Sequence, residues 1–195
     1  MPREIALSFQ PQFDKIVELM LLLAHKYPGL SKYQVVKIFY LSDKLHLERY
    51  KRPLSFDTYF ALWYGPVASN AMDLMEQDDH TFKLAGITEL PFEVDVRPDH
   101  KNRPIAYIGK PLREIDEDMF SESDTEVFEE VANTYKSKTF DELMTETHKH
   151  QAYKLAWFAR GTAKRGLMDY ADMIEDSDLR ERIVDDIAPL AQNLR

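Results

Sequence analysis

Apolar residues recur at helical spacing from early in the chain. Phe13, Ile16, Val17, Met20, Leu23, Ala24 and Tyr27 share one face of a helix predicted over 13–27, and Pro28-Gly29 stops it. Ser31 with Gln34 three residues on is a capping box, opening a second helix that runs to about Tyr50. Val35, Ile38, Phe39, Leu41 and Leu45 fill one arc of this helix and Val36, Tyr40 and Leu47 another. Only Lys37, Lys44 and Glu48 share a clearly polar side, so the helix is expected at the centre of the fold. Lys51-Arg52-Pro53-Leu54 ends it, since proline cannot continue a helix. The aromatic-rich stretch Phe56–Tyr64 reads as a short strand or an extended linker. Gly65-Pro66-Val67 then suits the start of a third helix, from Val67 to about Met75.

From His80 to Pro111 the period shortens to two. Phe82, Leu84, Phe92, Val94, Val96, Ile105 and Tyr107 alternate with polar residues, and residues 97–104 form a turn cluster. This predicts a small antiparallel element of two or three strands inserted at about 80–111. Helical spacing returns with Val127, Val131, Ala132 and Tyr135, capped by Ser121 or Ser123. Thr139 with Glu142 is a second capping box, for a helix carrying Phe140, Leu143, Met144 and Thr147 and reaching toward Trp157. Gly161 and Gly166 interrupt the next stretch, and short helices at Asp169–Glu175 and Ser177–Leu190 close the chain. The pattern predicts a mainly helical α+β fold, a compact multi-helix domain over residues 1–195 with a small inserted antiparallel β hairpin or sheet.

The chain's 195 residues and 22.9 kDa fit one domain. The absence of cysteine excludes a disulfide scaffold, a zinc ribbon, an iron–sulfur centre and a thiol nucleophile. The longest apolar run, Leu19–Ala24, is too short to span a membrane, and Met1–Gln10 has no apolar signal region, so a cytoplasmic location is expected. Charge is uneven: residues 1–113 carry 15 basic and 14 acidic groups, residues 114–195 carry 10 and 20. Nine acidic residues and no basic one lie between Glu114 and Glu130. Such a surface makes nucleic acid an unlikely partner and attracts a basic protein.

Little in the chain looks catalytic. It has no Gly-rich phosphate loop, no H-E-x-x-H and no G-x-S-x-G, so neither an enzyme nor a bound cofactor or metal is expected. His148 and His150 would point about 200° apart on a helix and could not share a metal. Asp43 falls among apolar neighbours and needs partners, either backbone amides or a basic side chain such as Arg52. It is expected to support the segment from Arg52 to Val67. His46, three residues on, could orient the same loop with it or form a weak acid–base pair. Trp63, Tyr64 and Trp157 read either as core or as anchors for protein recognition.

Lys37-Ile38-Phe39-Tyr40-Leu41-Ser42-Asp43, then His46-Leu47 and Tyr50, Arg52-Pro53-Leu54, Asp57 and Tyr59, and Tyr64-Gly65-Pro66-Val67 together resemble the signature of the SocA-like antitoxins, or Panacea domain. Thr147-His148 and Ala152–Trp157 resemble a later segment of that family, with extra residues between. Ser42 stands where the family has alanine and Lys51 where it commonly has glycine. The resemblance covers about residues 10–160. It implies an antitoxin of a bacterial or phage toxin–antitoxin system that binds a cognate toxin encoded nearby. An alternative is a proteolytic adaptor delivering the toxin to a ClpXP-type protease. An alternative of another class is an enzyme dependent on a metal or on Asp and His. The resemblance brings no catalytic residues.

On this reading the toxin-binding surface is composite. Tyr59, Trp63, Tyr64, Gly65 and Pro66 form the anchor, and Glu126, Glu129 and Glu130 steer the encounter. Asp43, His46, Arg52, Pro53, Val67 and Trp157 are expected to support the motif structurally.

Overall fold

A computed structural model describes residues 7–99 and 102–193. Helix α1 (Phe13–Lys26) and helix α2 (Lys32–Tyr50) are the two predicted from periodicity. The Ser31 side chain accepts from the Gln34 amide, Gln34 returns a bond to the Ser31 amide, and Lys51 closes the helix in the left-handed region at φ 59°. Ile38, Phe39, Tyr40 and Leu47 are fully buried, which places α2 in the middle of the molecule. Packed on α2 are helices α3 (Ser69–Met75), α5 (Glu122–Tyr135) and α6 (Phe140–Thr147). One hydrophobic cluster runs from Leu7 to Ala191. The architecture is mainly helical α+β, with eight α-helices among the described residues.

Two small sheets complete the fold. Strand β1 (Tyr59–Leu62) pairs antiparallel with β2 (Gly65–Ala68) on one side and with β5 (Gly166–Leu167) on the other. Pro66 therefore sits in an edge strand, where its missing N–H breaks no ladder, and α3 starts at Ser69 instead of Val67. The second sheet is a hairpin of β3 (Phe92–Pro98) and β4 (Pro104–Pro111). Its inner strand β4 packs on α1, and Ile108 exchanges backbone bonds with Gly29 and Leu30.

Three further elements differ from expectation. Residues 79–85 form helix α4 (Asp79–Ala85) and not a strand, because the Asp78 side chain caps the Thr81 amide at 2.8 Å and Gly86 supplies a left-handed stop. The inserted β element is thus two strands over 92–111. The helix from Thr139 does not continue to Trp157: the backbone turns extended at His150 (ψ 138°) and a separate helix α7 (Gln151–Ala159) begins there. Of the two closing segments, 170–173 is a short 3-10 turn, and helix α8 (Ser177–Asn193) matches the second.

Candidate interaction surface

Asp43 projects from α2 into the core and is 0% exposed. Its Oδ1 accepts from the amides of Leu54 (2.6 Å) and Ser55 (2.7 Å). Its Oδ2 accepts from the hydroxyls of Ser55 (2.6 Å), Tyr59 (2.7 Å) and Tyr170 (3.1 Å). Five donors hold one carboxylate and so tie the loop after α2, β1 and the C-terminal region to one helix. Burial, and next the Asp43 charge, raise both tyrosine hydroxyls well above their usual range, so both stay donors. Asp57 repeats the device. It accepts from the amides of Thr58, Asn70 and Ala71 and from the Asn70 side chain, fixing the start of α3. Pro53 and Val67 are buried along the same path.

Lys37 is the unexpected member. Periodicity puts it on the polar side of α2, yet it is only 3% exposed. Its ammonium donates to the carbonyls of Tyr64 (2.9 Å) and Pro66 (2.6 Å), which flank Gly65 where the turn enters β2. Burial pulls its pKa down to about 7. The turn itself needs glycine at position 65. Gly65 has φ 99°, and a Cβ there would lie 2.8 Å from Lys37 Nζ, 2.9 Å from Thr147 Oγ1 and 3.2 Å from His148 Cδ2. The only sequence signal for Lys37 is its place at the head of the Lys-Ile-Phe-Tyr-Leu run; a helix wheel shows no neighbours beyond its own helix.

The clamp presents two aromatic side chains at the tip of the turn. Trp63 is 70% exposed and Tyr64 39% exposed, which removes the core alternative for both. Tyr64 packs edge-on against Phe140 (5.3 Å), which meets Tyr33 in turn (5.1 Å). These three line an open groove of about 560 Å³ between α6 and the β3–β4 hairpin. Trp63 packs edge-on against Trp157 (5.9 Å), behind which Tyr153 and His148 stack in succession (6.0 and 4.4 Å). Tyr153 also donates to the Leu62 carbonyl at 3.0 Å. Burial, and next the Lys37 charge, push the His148 pKa down. Of the expected anchor, Tyr59, Gly65 and Pro66 are buried, so Trp63 and Tyr64 alone can touch a partner.

The acidic residues lie elsewhere. On α5, Glu130 receives both guanidinium nitrogens of Arg49 (2.6 and 2.9 Å), Glu126 accepts from the Tyr50 hydroxyl (3.0 Å), and Glu129 is bonded to Lys26. Arg49 and Lys37 are twelve residues apart on α2, about 18 Å along its axis, so the structure separates the steering charges from the aromatic turn. Beneath the carboxylates, buried Asp124 pairs with Lys15 (2.8 Å) and Arg52 (2.9 Å), so Arg52 serves Asp124 rather than Asp43. Burial alone would raise the Asp124 pKa, but bonds from Lys15 and the Ser121 amide hold it below its usual value. His46 donates from Nδ1 to the Arg52 carbonyl (2.8 Å) and accepts at Nε2 from the Ser123 hydroxyl (3.1 Å). Burial, the largest influence, lowers its pKa. Asp43 and His46 therefore serve different partners and form no acid–base pair. His150 bonds the Tyr40 hydroxyl (3.1 Å), away from His148. Among the described residues no cluster of three or more His, Asp or Glu side chains is placed to hold a metal, and no helix is long and apolar enough to cross a membrane.

What the arrangement offers chemically is contact: a rigid aromatic turn with a groove on one side and an open aromatic face on the other. Neither a curated protein nor a solved structure matches the chain. The family described as "Antitoxin SocA-like, Panacea domain" matches residues 35–154, which hold Asp43 with all its donors but Tyr170, the Lys37 clamp and the aromatic turn. Since that match spans more than half of the sequence, the chain belongs to the SocA-like antitoxin family of Panacea domains.

Proposed function

We propose that the protein is an antitoxin that neutralises a toxin encoded beside it by direct protein–protein binding, with the Trp63-Tyr64 turn at the centre of the contact. The observation that supports this most is the pairing of strong exposure with rigid support. Two adjacent aromatics face solvent on a turn whose carbonyls are held from beneath by Lys37. Aromatic side chains supply most of the energy at protein interfaces, and a preorganised turn loses little entropy on binding. A catalytic reading finds less support, because Asp43 and His46 are both fully buried and engaged with separate partners.

Expression of the neighbouring gene product alone should arrest growth, and co-expression of this chain should restore it. Trp63→Ala combined with Tyr64→Ala should abolish rescue and co-elution of the two proteins while the thermal melt holds. A folded double variant that still rescues would refute the turn as the contact. A neighbour that is harmless alone would refute the antitoxin role.

A further inference from the structure

Residues 147–168 contain five basic residues, Lys149, Lys154, Arg160, Lys164 and Arg165, and no acidic one. This island lies inside the acidic half of the chain, so summed charge conceals it. It is also where the most exposed aromatics gather. On α7, Lys154, Trp157 and Phe158 stand at i, i+3 and i+4, hence side by side, and Phe158 is 80% exposed. The Arg160 guanidinium lies 3.6 Å over the Trp157 ring and that of Arg165 lies 4.2 Å over Phe60 of β1. Trp63, from the turn, closes the face against Trp157. Among the described residues Lys154, Arg160, Lys164 and Arg165 form no ion pair. Asp73 on α3 senses Arg165 through space without pairing with it.

We infer that this face docks an acidic segment of the partner protein, its carboxylates seating on Lys154, Arg160 and Arg165 and an apolar side chain lodging between Trp63 and Phe158. The inference rests on the toxin-binding reading and deepens it by giving the partner's surface a charge and a shape. Guanidinium groups stacked on rings are already held in place; Arg160 Nη1 donates to the Gly161 carbonyl (2.7 Å), which leaves its Nη2 for a carboxylate. The acidic α5 surface does not cancel this attraction. Of its carboxylates, Asp124, Glu129 and Glu130 are paired within the chain, and Arg49, which holds Glu130, stands roughly 18 Å along α2 from Lys37 beneath the aromatic turn, about two Debye lengths at physiological salt. Those same pairings argue against α5 of a second copy as the occupant. A nucleic acid strand would carry its phosphates past this small island onto a surface of net charge −9.

The chain has only two tryptophans, Trp63 and Trp157, and both lie in this face, so intrinsic fluorescence reports on it directly. The full chain is titrated with the purified neighbour-encoded protein. Docking should shift tryptophan emission to the blue. Lys154→Glu with Arg165→Glu should weaken binding at least tenfold and flatten its salt dependence, and Phe158→Ser should weaken it with the melt unchanged. The control Glu181→Lys with Asp185→Lys, on α8, should bind as wild type. Binding left intact by the face variants would overturn this inference while leaving the antitoxin reading standing. If the neighbour does not bind at all, the antitoxin reading fails. The face is then judged by a short synthetic peptide alternating Glu with Leu and Phe: a blue shift lost in the Lys154→Glu, Arg165→Glu variant supports it, and no shift overturns it. An equal shift with a single-stranded oligonucleotide, or self-association abolished by the same variant, also overturns it.

Discussion

The two ends of α2 carry opposite kinds of surface. At its C-terminal end, α5 covers the helix with carboxylates that already have partners: Glu130 with Arg49, Glu129 with Lys26, and Asp124 with Lys15 and Arg52. Near its N-terminal half, Lys37 supports a turn whose aromatics, with those of α7, face solvent beside cations that have no acidic partner among the described residues. The first region is closed by its own charges. The second keeps exposed aromatics beside its cations, the features on which the proposed contact rests. Charge density in a sequence is therefore a poor guide to which charges the fold leaves without a partner.

The largest test of this contrast is Asp124→Ala. It would leave Lys15 buried without its carboxylate and release Arg52, lowering stability by about 3–5 kcal/mol in a urea melt. Wild-type stability would mean that the α5 end is not closed by charge.

Lys37 makes the next test, through pH. Its folded pKa of about 7 lies below the 10.5 of an exposed lysine. Between those values the unfolded chain binds more protons, so stability should rise with pH, by at most about 3 kcal/mol from pH 7 to 9. Lys37→Met should remove that rise. On the acid side, burial depresses the pKa values of His46, His148 and His150, whose contributions to stability fall as pH drops below about 6.5, and raises that of Asp57 to about 7, whose contribution opposes them. Melts of both proteins across pH would show it, and identical slopes would exclude the clamp.

Smaller still, Trp63→Ala should change stability by about 1 kcal/mol or less, because the ring is mostly in water. Its effect should appear in toxin binding, measured by calorimetry, as a loss of at least tenfold. A large loss of stability would make the turn structural. The smallest effect is expected from Glu130→Gln. It removes an exposed pair with Arg49, should leave the melt in place, and should alter association only at low salt. A marked stability loss would show the pair to be more than a surface contact.

Local rules made much of this fold legible. The capping boxes at Ser31, Ser121 and Thr139 act within four residues of chain, and the apolar stripes of α1, α2 and α5 need only a face to be buried. Where a rule of one range competed with another, the sequence misled. Phe82 and Leu84 alternate like a strand, but the Asp78 cap and Gly86 stop make a helix. Pro66 can open a helix or occupy a sheet edge, and only the presence of β1 beside it decides. The two residues of β5 become a strand because β1 is there to pair with them.

The chemistry divides along the same line. The sequence alone determined a mainly helical α+β chain without cysteine, a central helix, and a motif block from Lys37 to Val67 specific enough to identify the family. Even the need of Asp43 for partners came from its apolar neighbours. The partners themselves, Tyr59 and Tyr170 among them, lie up to 127 residues away and were visible only in three dimensions. The tertiary structure likewise buried Lys37, exposed Trp63, paired Asp124, Glu129 and Glu130 of α5, and left Lys154 and Arg160 without an ion pair among the described residues. Periodicity reports which side of one element is apolar. Burial, pairing and leftover charge depend on what a second element, distant along the chain, brings against that side.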